Sequence, residues 1–139
     1  GGGEFRSSYF YGKSGSLYPA GPGAHNLIVD RFYGQAYQNC MLVAIADGCG
    51  WGLRAEDAAL RALQGFQLAV KHAIPALATS NDAEQCLLKA YTVAHQKILE
   101  GRSEPNMAGT TTLLGGLVCE LADCDRTDDY SHVFICANL

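Results

Sequence analysis

Apolar positions fall along this chain in blocks of two distinct periods. Met41 to Ala46 is a continuous apolar run with β-branched members, bounded by turn residues, and reads as an interior strand. Leu27 to Val29 and Arg31 to Tyr33 read as a short strand broken by Asp30, and Gly34 to Asn39 as a turn. From Ala55 to Ala78 the period changes. Leu60, Leu63, Phe66, Val70, Ile74 and Leu77 recur at steps of three and four, which draws one stripe on a helix. Gly65 weakens that helix slightly, and Pro75 kinks it or ends it near Ala73. A second helix spans about Asp82 to Leu99, with Asn81 and Glu84 spaced as a capping box. Its inner face is Cys86/Leu87, Ala90/Tyr91, Ala94 and Ile98. The two helices are expected to pair antiparallel and pack on a sheet.

After a polar link from Gly101 to Met107, Gly109 to Leu121 reads as a strand, with Gly115-Gly116 as a bulge within it. His132 to Ala137 reads as a last strand, joined to the previous one as a hairpin by an acidic loop, Ala122 to Tyr130. Gly1 to Phe5 reads as residue left by cloning. Residues 6–26 form a Gly/Ser/Tyr/Pro-rich arm, a loop or edge extension whose aromatics Tyr9, Phe10, Tyr11 and Tyr18 pack down in part. The division is therefore an arm over 1–26 and a single domain over 27–139.

Composition narrows the classes. The chain of 139 residues is 48% apolar, the composition of a globular domain of modest core. Its net charge of −4, without a Lys/Arg cluster, argues against a nucleic-acid partner. No run is long enough to span a membrane, and no secretory segment opens the chain, so neither a membrane nor export is expected. Six cysteines invite a disulfide framework, but Cys40, Cys86, Cys119 and Cys136 have the apolar neighbours of core residues. No spacing fits a zinc site, so a reduced, cytoplasmic or otherwise intracellular protein is expected.

Candidate chemistry gathers where the interior strand ends. Asp47, beside Gly48, suits a hard divalent cation, which takes carboxylate and backbone carbonyl oxygens. From this segment alone, since Asp-Gly is a common turn pair, the residue reads first as a cap for the turn or helix that follows. An antiparallel return through 34–39 would bring Asp30 beside Asp47, and two converging carboxylates repel unless a cation or a proton sits between them. Asp30 otherwise reads as a salt-bridge or solvent-facing strand residue. Cys49 reads either as a nucleophile near helix amides or as a small turn residue. Trp51 covers the turn or anchors a partner. His72 and His95 lie in helices, His95 beside the packed stripe, and His132 opens a strand. The acidic segment 123–129 lacks the glycine and glutamate of a calcium loop and reads as solvated. Gly48 to Gly52 is not a phosphate loop, since no Gly-Lys-Ser/Thr follows.

Together these segments resemble the PP2C (PPM) family of metal-dependent protein serine/threonine phosphatases, across Asp30 to Asn138. Val43 to Gly50 looks like the family's strand ending in Asp-Gly-His-Gly. Asp30-Arg31-Phe32 resembles the upstream acidic segment, Gly109-Thr110-Thr111 the Gly-Ser/Thr-Thr that opens a strand after two helices, and Phe134 to Leu139 the strand before a Gly-Asp-Ser turn. The resemblance implies an α+β fold, a β-sandwich flanked by antiparallel helix pairs, of which this chain is the N-terminal portion. It implies a binuclear Mg²⁺ or Mn²⁺ centre in which Asp47 bridges both ions, Gly48 offers its carbonyl and Asp30 holds metal-bound water. Activated water would attack the phosphoserine or phosphothreonine phosphorus directly.

The chain departs from that pattern. Val29 stands where an acidic residue or Gln is usual, His25 and Asn26 where a phosphate-binding Arg is expected, Cys49 at the general-acid His, and Trp51 at a small Gly. The resemblance would place the remaining metal-ligand Asp residues beyond Leu139. The resemblance thus implies either a phosphatase domain, incomplete and inactive as a fragment, that acts on a phosphoprotein, or a pseudophosphatase that binds a regulatory protein partner. The remaining alternative is an unrelated scaffold using Trp51 and the arm as an interface. The apolar strand edge is expected to be covered by the missing C-terminal part or by another copy.

Overall fold

The computed structural model describes residues 8–13, 29–37, 39–50, 52–123 and 132–138, with the backbone alone for 8–13. Gly1 to Phe5, Tyr18, His25 and Trp51, and all of 124–131, lie outside the described residues, as do the side chains of Tyr9, Phe10 and Tyr11. Among the described residues there are five strands: β1 Ser8–Lys13, β2 Asp30–Ala36, β3 Cys40–Cys49, β4 Thr110–Cys119 and β5 Val133–Asn138. They form one antiparallel sheet in the order β1-β2-β3-β4-β5, the order of the chain. Helices α1, Leu53–Ala73, and α2, Ser80–Leu99, are inserted between β3 and β4 as an antiparallel hairpin. Because the insertion contains two helices, the chain returns to the end it left, and β4 pairs beside β3 without a crossover.

Alternation along β3 separates the two faces. Cys40, Leu42, Ala44, Ala46 and Gly48 are buried beneath the helices, whereas Ile45, Asp47 and Cys49 are exposed on the opposite face. The core joins Leu42, Leu113 and Leu117 of the sheet to Leu63, Phe66 and Val70 of α1 and to Leu87, Ala90 and Tyr91 of α2. Tyr91 is the polar pin of this core. Its hydroxyl accepts from the Gly115 N–H at 2.9 Å, donates to the Ala137 carbonyl, and its ring meets Phe66 edge-on at 5.2 Å.

Several local expectations are corrected. Asp30 begins β2 rather than interrupting it, and the strand runs on to Ala36, which leaves a tight turn before Cys40. Gly34 sits within the strand because its neighbours across the sheet leave no turn to make there. α1 gives way at Ile74–Ala76 to a 3₁₀ turn carrying Pro75, close to where the proline was expected to end it. The capping box of α2 is Thr79 with Asp82, two residues ahead of Asn81 and Glu84: Thr79 Oγ1 accepts from the Asp82 N–H at 3.2 Å and Asp82 accepts from the Thr79 N–H at 2.9 Å. Asp123, at the start of the acidic segment, accepts from the Ser80 N–H at 2.9 Å and so docks on the same helix end. Gly115 and Gly116 pair with Ala44 and Val43 in unbroken register, so they make no bulge. Cys136 and His95 are exposed rather than packed, Cys136 because β5 alternation turns it away from the helices.

Candidate acidic site at the end of the central strand

The expected carboxylate pair forms. Asp30 and Asp47 are direct cross-strand partners of β2 and β3. At the turn end of this hairpin the Tyr37 N–H donates to the Cys40 carbonyl at 2.7 Å. Ladder bonds in an antiparallel pair fall on alternate partners, and counting from Tyr37–Cys40 makes Asp30–Asp47 a pair without them. Such partners bring their side chains closest together, with Cα atoms about 4.5 Å apart. The two carboxyls share a hydrogen bond. That bond, followed by partial desolvation and the charge of Asp30, holds the Asp47 carboxyl above the usual carboxylate range. The same alternation turns the main-chain groups of Gly48 toward the β2 side, next to Asp30.

Glycine and threonine set the height of this strand end. A Cβ on Gly48 would sit 2.6 Å from the Ala55 carbonyl oxygen, and one on Gly109 only 1.9 Å from that of Arg54. Both strands therefore run directly under the first turn of α1, where only glycine leaves room. Thr111 Oγ1 donates to the Asp47 carbonyl at 2.8 Å and fixes its peptide. On the helix-covered side, Arg31 bonds the Asp30 carbonyl at 3.0 Å and forms a partly buried ion pair with Glu56 of α1 at 2.5 Å. These anchors were not read from the sequence. The Gly109-Thr110-Thr111 run was the available signal for one of them, whereas no local pattern marks an Arg and a Glu 25 residues apart.

Asp47 does not cap α1. The N-cap is Gly52, with a φ of 105°, and it receives no side-chain hydrogen bond. Cys49 is exposed on the outer face beside the pair, and its thiol donates weakly to the Asp47 carbonyl at 3.9 Å. His72 and His132 are exposed. Below Asp30 and Asp47 the outer face turns apolar. Phe32, Val43 and Ile45 border a hollow of about 350 Å³ that opens beside Asp30.

Carboxylate and carbonyl oxygens are the donors that Mg²⁺ and Mn²⁺ take, so Asp30, Asp47 and Gly48 fit such an ion in kind. They fall short of its coordination number, and among the described residues no group of three or more His, Cys, Asp and Glu side chains converges. No family model, no curated protein and no solved structure matches the chain. Among the described residues no helix is long and apolar enough to cross a membrane.

Proposed function

We propose that this chain forms the helix-covered sheet of a PP2C-type metal-dependent protein serine/threonine phosphatase domain, with Asp30 and Asp47 as part of its divalent-cation site. The observation that carries the reading is the closest-approach pairing of two carboxylates at a glycine-rich strand end. Such a pair is costly to keep ionised without a counter-charge. A bound Mg²⁺ or Mn²⁺ supplies Lewis acidity toward phosphoryl oxygens and acidifies water. The protein's own part is placement. Asp30 and Asp47 hold the cation from adjacent strands, Gly48 presents main-chain oxygen, and Thr111 with Arg31 and Glu56 keeps both strand ends at fixed height. The apolar outer face, bearing Phe32, Ile45, Leu114 and Phe134, has the character of a sheet that a second β-layer covers in a sandwich. The substrate of this reading is a phosphoserine or phosphothreonine protein.

A pseudophosphatase is the second reading, and Cys49 favours it. The thiol stands at the position that the resemblance gives to a general-acid histidine, and it is turned to a main-chain carbonyl. A leaving alkoxide would lack its proton donor there. In that case the same domain serves as a module for a regulatory protein partner.

The test pairs a thermal shift with turnover. Mn²⁺ is expected to raise the melting temperature of the 139-residue chain, and the chain alone is expected to hydrolyse no generic aryl phosphate. Turnover lost in Asp47→Asn would reveal a complete centre and overturn the partial-site reading. A melting temperature indifferent to Mn²⁺ would remove the cation site.

A further inference from the structure

Cys40 opens β3, Cys119 closes β4, and the two face each other in register beneath the helices. The Glu120 N–H donates to the Asn39 carbonyl at 3.1 Å. Asn39–Glu120 thus takes ladder bonds, and the adjacent Cys40–Cys119 is a pair without them. Its expected Cα separation of about 4.5 Å lies inside the window of about 4.4–6.8 Å that a disulfide spans. The two thiols are coupled: interaction with Cys40 lowers the Cys119 thiol, and interaction with Cys119 together with burial raises that of Cys40. Cys86 of α2 stands nearby with its thiol pushed up to about 11 by burial. Cys86 belongs to a helix and faces neither strand cysteine in register, whereas Cys40 and Cys119 are direct cross-strand partners.

We propose that Cys40 and Cys119 are a redox-active pair that closes to a cross-strand disulfide on meeting a low-molecular-weight disulfide such as oxidised glutathione. The Cys119 thiolate attacks one sulfur of the oxidant; the S–S bond breaks and one glutathione thiolate leaves. Cys40 then gives up its proton and attacks Cys119 Sγ, which expels the second glutathione thiolate. Two cysteine thiols are oxidised by two electrons, the oxidant takes up those electrons, and the protons released by the cysteines protonate the glutathione. Both residues are buried, so reaction follows local opening. Their place at strand ends, next to the tight turn before Cys40, makes that opening local. The bond would clasp β3 to β4 at the sheet end that lies by the tip of the inserted helix hairpin, where the Ala122 N–H meets the Ala78 carbonyl, and would shrink the unfolded ensemble.

The test incubates the chain with oxidised glutathione, alkylates free thiols and maps peptides without reduction, with fragmentation that separates Cys40 from Cys49 and Cys119 from Cys124. The expected result is a Cys40–Cys119 link, a higher urea midpoint for the oxidised protein, and reversal of both by a dithiol. Cys49→Ser is expected to leave the link intact. Cys119→Ser is expected to abolish it, and the wild-type map decides the matter if that variant does not fold. A link through Cys86, or adducts confined to Cys49, Cys124 and Cys136 with Cys40 and Cys119 still alkylated after unfolding, would overturn the proposal.

Discussion

Asp30 and Asp47 stand opposite one another across β2 and β3, at a position of the ladder where side chains approach most closely. Two acids at such a point need a proton or a cation between them. A hydrogen bond from one carboxyl to the other, with partial desolvation and the charge of Asp30, holds the Asp47 carboxyl above its ordinary range.

A pH dependence follows. The folded-state pKa of Asp47 is raised above the usual 3.8, so the stability contributed by the protonated pair is complete below that value and is lost as pH rises through the raised pKa. Asp47→Asn keeps a donor toward Asp30 and does not titrate. In chelator-containing buffer the variant should melt higher than wild type at neutral pH and equally near pH 3. Thermal melts across that range check this; parallel curves for the two proteins would contradict it.

The Tyr91 hydroxyl bonds two main-chain groups of different strands. Tyr91→Phe keeps the ring against Phe66 but leaves the Gly115 N–H and the Ala137 carbonyl without that partner. Urea unfolding should report a loss of about 1–3 kcal/mol. A neutral substitution would mean that these groups find other partners.

Gly115 of β4 and Gly109 just before that strand should differ in how their replacement can be rescued. An added Cβ at Gly115 would lie 2.2 Å from the Phe66 ring, and at Gly109 1.9 Å from the main-chain oxygen of Arg54. Gly115→Ala should cost about 1–3 kcal/mol and recover in part when combined with Phe66→Leu. Gly109→Ala meets backbone that cannot rotate aside, so it should cost more and lift the first turn of α1 from the strand end. Denaturation of the single and double variants measures both.

Ile45 is 54% and Phe134 58% exposed on the outer face. Phe134→Glu should reduce dye binding and self-association while changing unfolding free energy by no more than about 0.5 kcal/mol, since the residue lies away from the helix-covered core. A large loss of stability would mean that the outer face is already covered.

The elements that carry strong periodicity were readable in the chain. The stripe of Leu63, Phe66, Val70 and Ile74 and the inner face from Cys86 to Ala94 are buried as their spacing required. The sequence offered the Asp30–Asp47 juxtaposition as an outcome of an antiparallel return but did not fix its register: a turn over 34–39 would set Asp30 opposite Val43, and the continuation of β2 to Ala36 is what brings it to Asp47. What escaped is non-local or degenerate. The Arg31–Glu56 pair joins elements with no sequence signal linking them. Thr79–Asp82 and Asn81–Glu84 both satisfy capping chemistry, and the docking of Asp123 on Ser80 goes with the former. Gly115 and Gly116 resembled a bulge, but their lack of side chains serves instead to admit the rings of Phe66 and Phe134.

Isothermal titration of Mn²⁺ into the chelator-stripped protein, repeated with Asp30→Asn and Asp47→Asn, tests the central claim most directly. Saturable binding by the wild type, lost in both variants, is the predicted result. No heat in the wild type, or binding that survives both substitutions, would contradict it.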